Sequence, residues 1–154
     1  MDVDIDKLTA ILAERMAAVV PDGIHVRAAD GMLWYSADEG RFPGQDGSYR
    51  TGTSGTYVEI SFYAHGQSDE DRIAGVAAQA LSELQDYVDE ATHDPWPGKR
   101  TQPRARALVR DRMLLAWYGG TDPDGSDVVL ACSPVPLPDL RRLPGCDGGA
   151  DHSA

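Results

Sequence analysis

The chain has 154 residues, 42% of them hydrophobic and 25% charged, which is ordinary usage for a domain that buries a core without disulfides or metals. Its formal net charge is −11. Such a field repels phosphate backbones and anionic lipid, so neither nucleic acid nor a membrane surface is expected as a partner.

Asp4 or Asp6 is placed to cap a first helix whose apolar positions are Leu8, Ile11, Leu12, Met16 and Val19. That spacing draws one stripe at the helical period, and Pro21-Asp22-Gly23 ends it. Ile24, Val26 and Ala28 then alternate with His25 and Arg27. Asp30-Gly31 follows as a type I′ hairpin signal, with Met32 to Ser36 as the return strand. From Asp38 to Gly55 the composition of Gly, Asp, Ser and Pro predicts a surface loop.

Thr56 to Ala64 alternates cleanly, with Val58, Ile60 and Phe62 on one face and Tyr57, Glu59, Ser61 and Tyr63 on the other. It reads as an antiparallel strand with one buried face. Ser68 then opens a second helix with Asp69, Glu70 and Asp71 in its first turn, where they oppose the positive end of the dipole. Ile73, Val76, Ala77, Ala80, Leu81, Leu84, Tyr87 and Val88 carry its apolar stripe through to Ala91, and Pro95 and Pro97 bar further extension.

Strands are expected at Ala105–Val109, Met113–Tyr118 and Asp127–Ser133, the first two joined by a turn at Arg110-Asp111-Arg112. Pro134, Pro136 and Pro138 end the last, because proline cannot donate to a ladder. The expectation is therefore a two-layer α+β domain over 1–137, an antiparallel sheet of about six strands with two helices in the order α-β-β-β-α-β-β-β. Residues 138–154 read as a flexible tail.

Val26-Arg27 and Trp34-Tyr35 share their spacing with Val109-Arg110 and Trp117-Tyr118, which suggests two similar hairpins. In each Trp-Tyr pair, one ring should face the core and the other outward.

No reaction centre emerges. His25, His65, His93 and His152 are scattered without metal spacing, so neither metal nor cofactor is expected. Asp122-Pro-Asp-Gly-Ser-Asp127 has Ser133 where a calcium loop carries its bidentate glutamate, and it reads as a turn. Gly47–Gly55 lacks a phosphate-loop pattern and leads into a strand, whereas phosphate cradles open into helices. Cys132 and Cys146 form no CxxC pair, and no G-x-S-x-G elbow occurs. Those cysteines, an acidic Met1–Lys7 and the lack of a bilayer-length apolar run suggest a cytoplasmic protein.

Leu33–Gln45, Leu84–Gly98 and Asp127–Leu137 resemble segments of small acidic proteins of high-GC Gram-positive bacteria, as do twelve arginines against two lysines. That resemblance implies no catalytic residues. The element order is also loosely similar to the α-β-β-β-α-β-β topology of secretion chaperones, an analogy of fold alone.

The functional expectation is a non-catalytic cytosolic module that binds another protein, or a second copy of itself, as an adaptor, chaperone-like or immunity-type factor. Tyr35, Tyr57, Tyr63, Trp96 and Trp117 are the candidate contact residues. Trp96, in Asp94-Pro95-Trp96-Pro97-Gly98, either covers the core at a helix stop or anchors a partner. Arg100, Arg104, Arg106, Arg110 and Arg112 form a basic stretch suited to an acidic partner or to the chain's own acidic helix. The alternative is an enzyme or small-molecule binder with an aromatic-lined pocket between helices and sheet.

Overall fold

Asp4 opens the first helix, α1 (Ile5–Ala17), by accepting from the backbone N–H of Asp6 at 3.0 Å and of Lys7 at 3.2 Å. These geometries come from a computed structural model that describes residues 3–38, 41–42, 54–57, 68–98 and 102–141. Leu8, Leu12 and Met16 are buried along α1, as their spacing requires. Ser68 caps the second helix, α2 (Asp69–Thr92), through the N–H of Asp71 at 3.1 Å. At its other end His93 adopts φ 60°, a left-handed cap whose N–H donates to Asp89 O at 2.9 Å.

Between the helices lie β1 (Ile24–Ala29), β2 (Met32–Ala37) and β3 (Ser54–Tyr57), an antiparallel three-stranded sheet in that order. After α2 come β4 (Ala105–Arg110), β5 (Met113–Gly119), β6 (Val128–Ala131) and the two-residue β7 (Val135–Pro136), which form a four-stranded sheet. The molecule is thus α+β in the expected order, with its strands divided between two antiparallel sheets.

Both hairpins close on turns with two residues in the left-handed region: Asp30 and Gly31 at φ 55° and 71°, and Asp111 and Arg112 at φ 53° and 63°. This is the type I′ turn, whose twist matches that of the flanking strands. Register shows that the Val-Arg/Trp-Tyr repeat is out of phase with these turns. Arg27 pairs with Trp34 in the first hairpin, whereas Arg110 pairs with Met113 and Trp117 with Arg106 in the second. What does superpose is Asp30-Gly31-Met32-Leu33 on Asp111-Arg112-Met113-Leu114. The side-chain alternation still holds for each Trp-Tyr pair, because both tyrosines are buried against the core.

β6 and β7 pair with the same edge of β5, Ala131 opposite Trp117 and Val135 opposite Leu114. They are one strand interrupted at Cys132–Pro134, where Pro134 has no N–H to donate. Gly119 ends β5 at an irregularity in this ladder, with φ 134°. A Cβ there would lie 2.3 Å from Asp127 O, so only glycine fits.

The core is one cluster into which both helices and both sheets contribute. α2 packs on β4 and β5 of one sheet and on β2 and β3 of the other, while α1 lies mainly on β1.

Chain packing continues past Leu137, where sequence placed the domain boundary. Leu137–Leu140 forms a 3-10 turn, Leu140 is fully buried, and its carbonyl accepts from Asp4 N–H at 2.8 Å. Val3 and Arg141 form an antiparallel bridge. A lone leucine among prolines and glycines carries no periodic signal, which is why this short docking segment read as tail. The remainder of that expected tail, 142–154 with Cys146, lies outside the described residues, as do most of the expected loop 38–55 and strand residues 58–64.

Two stability changes follow. Leu140→Ala should cost about 2–5 kcal/mol, the range for a buried leucine that leaves a cavity. Arg112→Gly should add about 0.5–1 kcal/mol, since it relieves a left-handed arginine at a turn that favours Asp-Gly. Urea denaturation checks both, and a neutral Leu140→Ala would return Pro138–Arg141 to the tail.

Candidate functional site

The alternation of each strand decides which candidate residues are available. Tyr35 is 1% exposed, and its ring centroid lies 5.8 Å from that of Tyr87 on α2. Trp117 faces away from α2, yet it is only 2% exposed, and its indole N–H donates to Gly120 O at 2.7 Å. Neither offers surface to a partner, and neither lines a groove formed by the described residues. Tyr57 lies in β3, but its side chain, like the whole of Tyr63, falls outside what is described.

Trp96 is half-buried and packs edge-on against Tyr118, with ring centroids 5.1 Å apart. It closes the core beyond the end of α2. Around it a small polar frame holds the connection between α2 and β4. The Asp89 carboxylate accepts from Trp96 N–H at 2.7 Å and from the Gln102 amide. The buried Gln85 amide donates to Trp96 O at 3.2 Å and to Pro103 O at 2.6 Å. Burial raises the Asp89 pKa above the usual carboxylate value; these two hydrogen bonds oppose that shift and nearby Asp86 adds to it.

Beside this frame, α2 and the start of β4 border a groove of about 430 Å3. Gly75, Ala78, Gln79 and Ser82 line it from the helix, and Gln102 and Arg104 from the connection. Its lining is small, uncharged or cationic, with Ser82 as its hydroxyl and no acid or aromatic ring among the described residues.

The other surface is the outer face of the four-stranded sheet. Ala105, Ala107 and Val109 pack toward the core, so Arg106, Leu108 and Arg110 turn outward. Register sets Leu108 beside Leu115 and Arg110 beside Met113. Leu108, Met113 and Leu115 are half-buried, and Val129 on β6 is 50% exposed. Arginines rim this apolar patch: Arg106 Nε donates to Gly119 O at 3.0 Å, and Arg110 pairs with Asp124. Arg104 and Arg112 are exposed without an ion-pair partner among the described residues. Arg106 and Arg110 are therefore presented outward, whereas Arg104 lines the groove beside α2, Arg112 borders a groove with Asp69 and Glu70 of the first turn of α2, and Arg100 lies outside the described residues. Hairpin alternation predicts the outward placement of Arg106 and Arg110.

Elsewhere the chemistry is structural. The Tyr118 hydroxyl donates to Leu81 O at 2.7 Å, and burial moves its pKa well above the phenol value. Burial likewise pushes the Cys132 thiol up to about 11, which leaves it protonated at neutral pH. The void beside Cys132, about 10 Å3, is at the limit for one water. His25 and Asp38 make an exposed pair at 2.7 Å. Among the described residues no three or more His, Cys, Asp or Glu side chains cluster as metal ligands, and no helix is long and apolar enough to cross a membrane. Comparison with protein-family models, curated proteins and solved structures finds no match to the chain.

The raised Asp89 pKa fixes a sign. The folded chain holds this proton more tightly than the unfolded chain, so stability is gained as pH falls through the folded pKa and lost as pH rises through it. Asp89→Asn, neutral at every pH, removes this titration but keeps only one of the two acceptors, so it should compare most favourably with wild type at neutral pH. In denaturant titrations across pH it should lose ground to wild type toward the ordinary carboxylate range. A pH-independent difference would show that burial does not govern this carboxylate.

Proposed function

We propose that this chain is a non-catalytic cytoplasmic module that binds another protein, of adaptor, chaperone-like or immunity type, through the β4 side of its four-stranded sheet. One observation carries the reading. On the outward face Leu108, Met113 and Leu115 lie together, flanked along β4 by Arg106 and Arg110, in a chain whose net charge is −11. An apolar centre with a polar, arginine-bearing rim is the usual anatomy of a protein interface. The local positive charge within an acidic molecule selects an acidic partner, steering its approach and opposing like-charged surfaces.

The enzyme or small-molecule alternative has less to rest on. Tyr35 fills the core instead of lining a cleft, Trp117 is covered, and the groove beside α2 offers arginine as its sole charged group among the described lining residues.

Affinity capture from an extract of the cells that express this protein tests the reading. A specific partner should be retained by wild type and by Glu14→Ala, which lies on exposed α1 surface, and lost with Leu115→Asp or Arg110→Glu. Arg110→Glu is a surface change, within about 0.5 kcal/mol, and should leave the fold intact; Leu115 is half-buried, so circular dichroism checks that Leu115→Asp folds before its binding is compared. Retention that ignores Leu115→Asp and Arg110→Glu, or no retained protein at all, would sink the assignment.

A further inference from the structure

We propose that the loop 120–127 between β5 and β6 is an autoinhibitory strap: Asp124 clasps it to Arg110 across the outward face of the four-stranded sheet, and a carboxylate of the acidic partner displaces Asp124 and lifts the loop off. This rests on the protein-binding reading and specifies how that surface is guarded.

The loop is rooted far from the residue it grips. At its base Gly120 N–H donates to Asp127 O at 3.1 Å, and the adjoining Gly119 N–H donates to Arg104 O at 3.0 Å. Arg110 lies six residues beyond Arg104, at the other end of β4, about 20 Å away at the rise of an extended chain. Yet Asp124, four residues past Gly120, forms an ion pair with Arg110. Four residues span at most about 14 Å. The long arginine side chain covers the remainder only if the loop lies back along the strand. Trp117 agrees with this path. It faces outward opposite Arg106, yet it is 2% exposed, and its indole N–H donates to Gly120 O at 2.7 Å. Between the root and the clasp lies the row that holds Leu108 and Leu115, the apolar centre of the proposed interface.

The loop keeps its own shape without the clasp. The Asp122 carboxylate accepts from Asp124 N–H at 2.9 Å, and its carbonyl accepts from Gly125 N–H at 3.0 Å. Val128 N–H donates to Gly125 O at 3.3 Å. At the root, Gly119 has φ 134°, a conformation that only glycine adopts readily, which makes it the pivot. The Asp124 and Arg110 side chains are 72% and 43% exposed, so water and salt weaken their attraction. A partner's carboxylate offers Arg110 the same interaction, and the exchange of one acid for another is close to neutral. Apolar contact with the face beneath, Trp117 included, then favours the partner over the loop.

The test follows hydrogen exchange at the Trp117 indole N–H by NMR in the isotope-labelled full chain, with the Trp96 indole as control. Asp124→Asn removes the clasp while keeping the size of the side chain. It should speed exchange at Trp117 about two- to fivefold, the range that one exposed ion pair supports, and leave Trp96 unchanged. High salt should act on wild type in the same direction. Reversing the pair, Arg110→Asp together with Asp124→Arg, should restore slow exchange, whereas either half alone should not. A labelled peptide, Glu-Leu-Glu-Leu-Glu, followed by fluorescence anisotropy, should bind Asp124→Asn about two- to fivefold more tightly than wild type, and should not bind Arg110→Glu. Exchange at Trp117 that ignores Asp124→Asn and the reversed pair, or a peptide that binds Asp124→Asn no better than wild type, would overturn the strap. If the strap fails in this way while a partner sensitive to Arg110→Glu is still captured from extract, the protein-binding reading stands. If capture fails as well, both fall.

Discussion

The apolar stripe of α2 is what makes one molecule out of two sheets. Ile73, Ala77, Leu81, Leu84 and Val88 are essentially inaccessible along its length. Helix α2 meets β2 and β3 on one side and β4 and β5 on the other. Each sheet turns an apolar face toward the helices, and three strands become stable when such a face is packed against a helix. Helix α2 packs against both, and α1 covers the β1 side of the first. The Tyr35 ring against Tyr87 and the Tyr118 hydroxyl on Leu81 O are equivalent ties, one from each sheet, to successive turns of that helix.

This arrangement explains which parts of the structure were legible in the chain and which were not. Helices α1 and α2, their caps Asp4 and Ser68, and the hairpin signal at Asp30-Gly31 were readable because each depends on neighbours a few residues away. The second hairpin was placed correctly, but its turn carries Arg112 in a left-handed conformation, which no local propensity favours. The Val-Arg/Trp-Tyr spacing looked like a duplicated hairpin, and only cross-strand register shows it to be two residues out of step with the turns. Leu140 was missed for a related reason: its partner is the N-terminal segment, far away in sequence, and long-range partners leave no periodic trace.

At the candidate surface, the aromatics were the natural first choice, since tyrosine and tryptophan dominate binding hot spots. Alternation works against that choice here. In both hairpins the tyrosine turns into the core, and Trp117, though outward, is covered. On β4 and β5 the outward positions that remain are leucine, methionine and arginine. Net charge alone conceals them, because an acidic total of −11 averages over a strand whose own charge is positive. Charge has to be read per face before it speaks about partners.

The bridge between Val3 and Arg141 has a geometric corollary. In an antiparallel pair, the chain enters and leaves on the same side, so polypeptide joined ahead of Val3 and polypeptide following Arg141 depart from neighbouring points. A unit whose ends meet in this way can be spliced into a surface loop of another protein with little displacement of the host's own backbone, as domain insertions generally are. The unit bounded by Val3 and Arg141 is in that sense a cassette. The outward face of its four-stranded sheet would travel with it into whatever scaffold receives it.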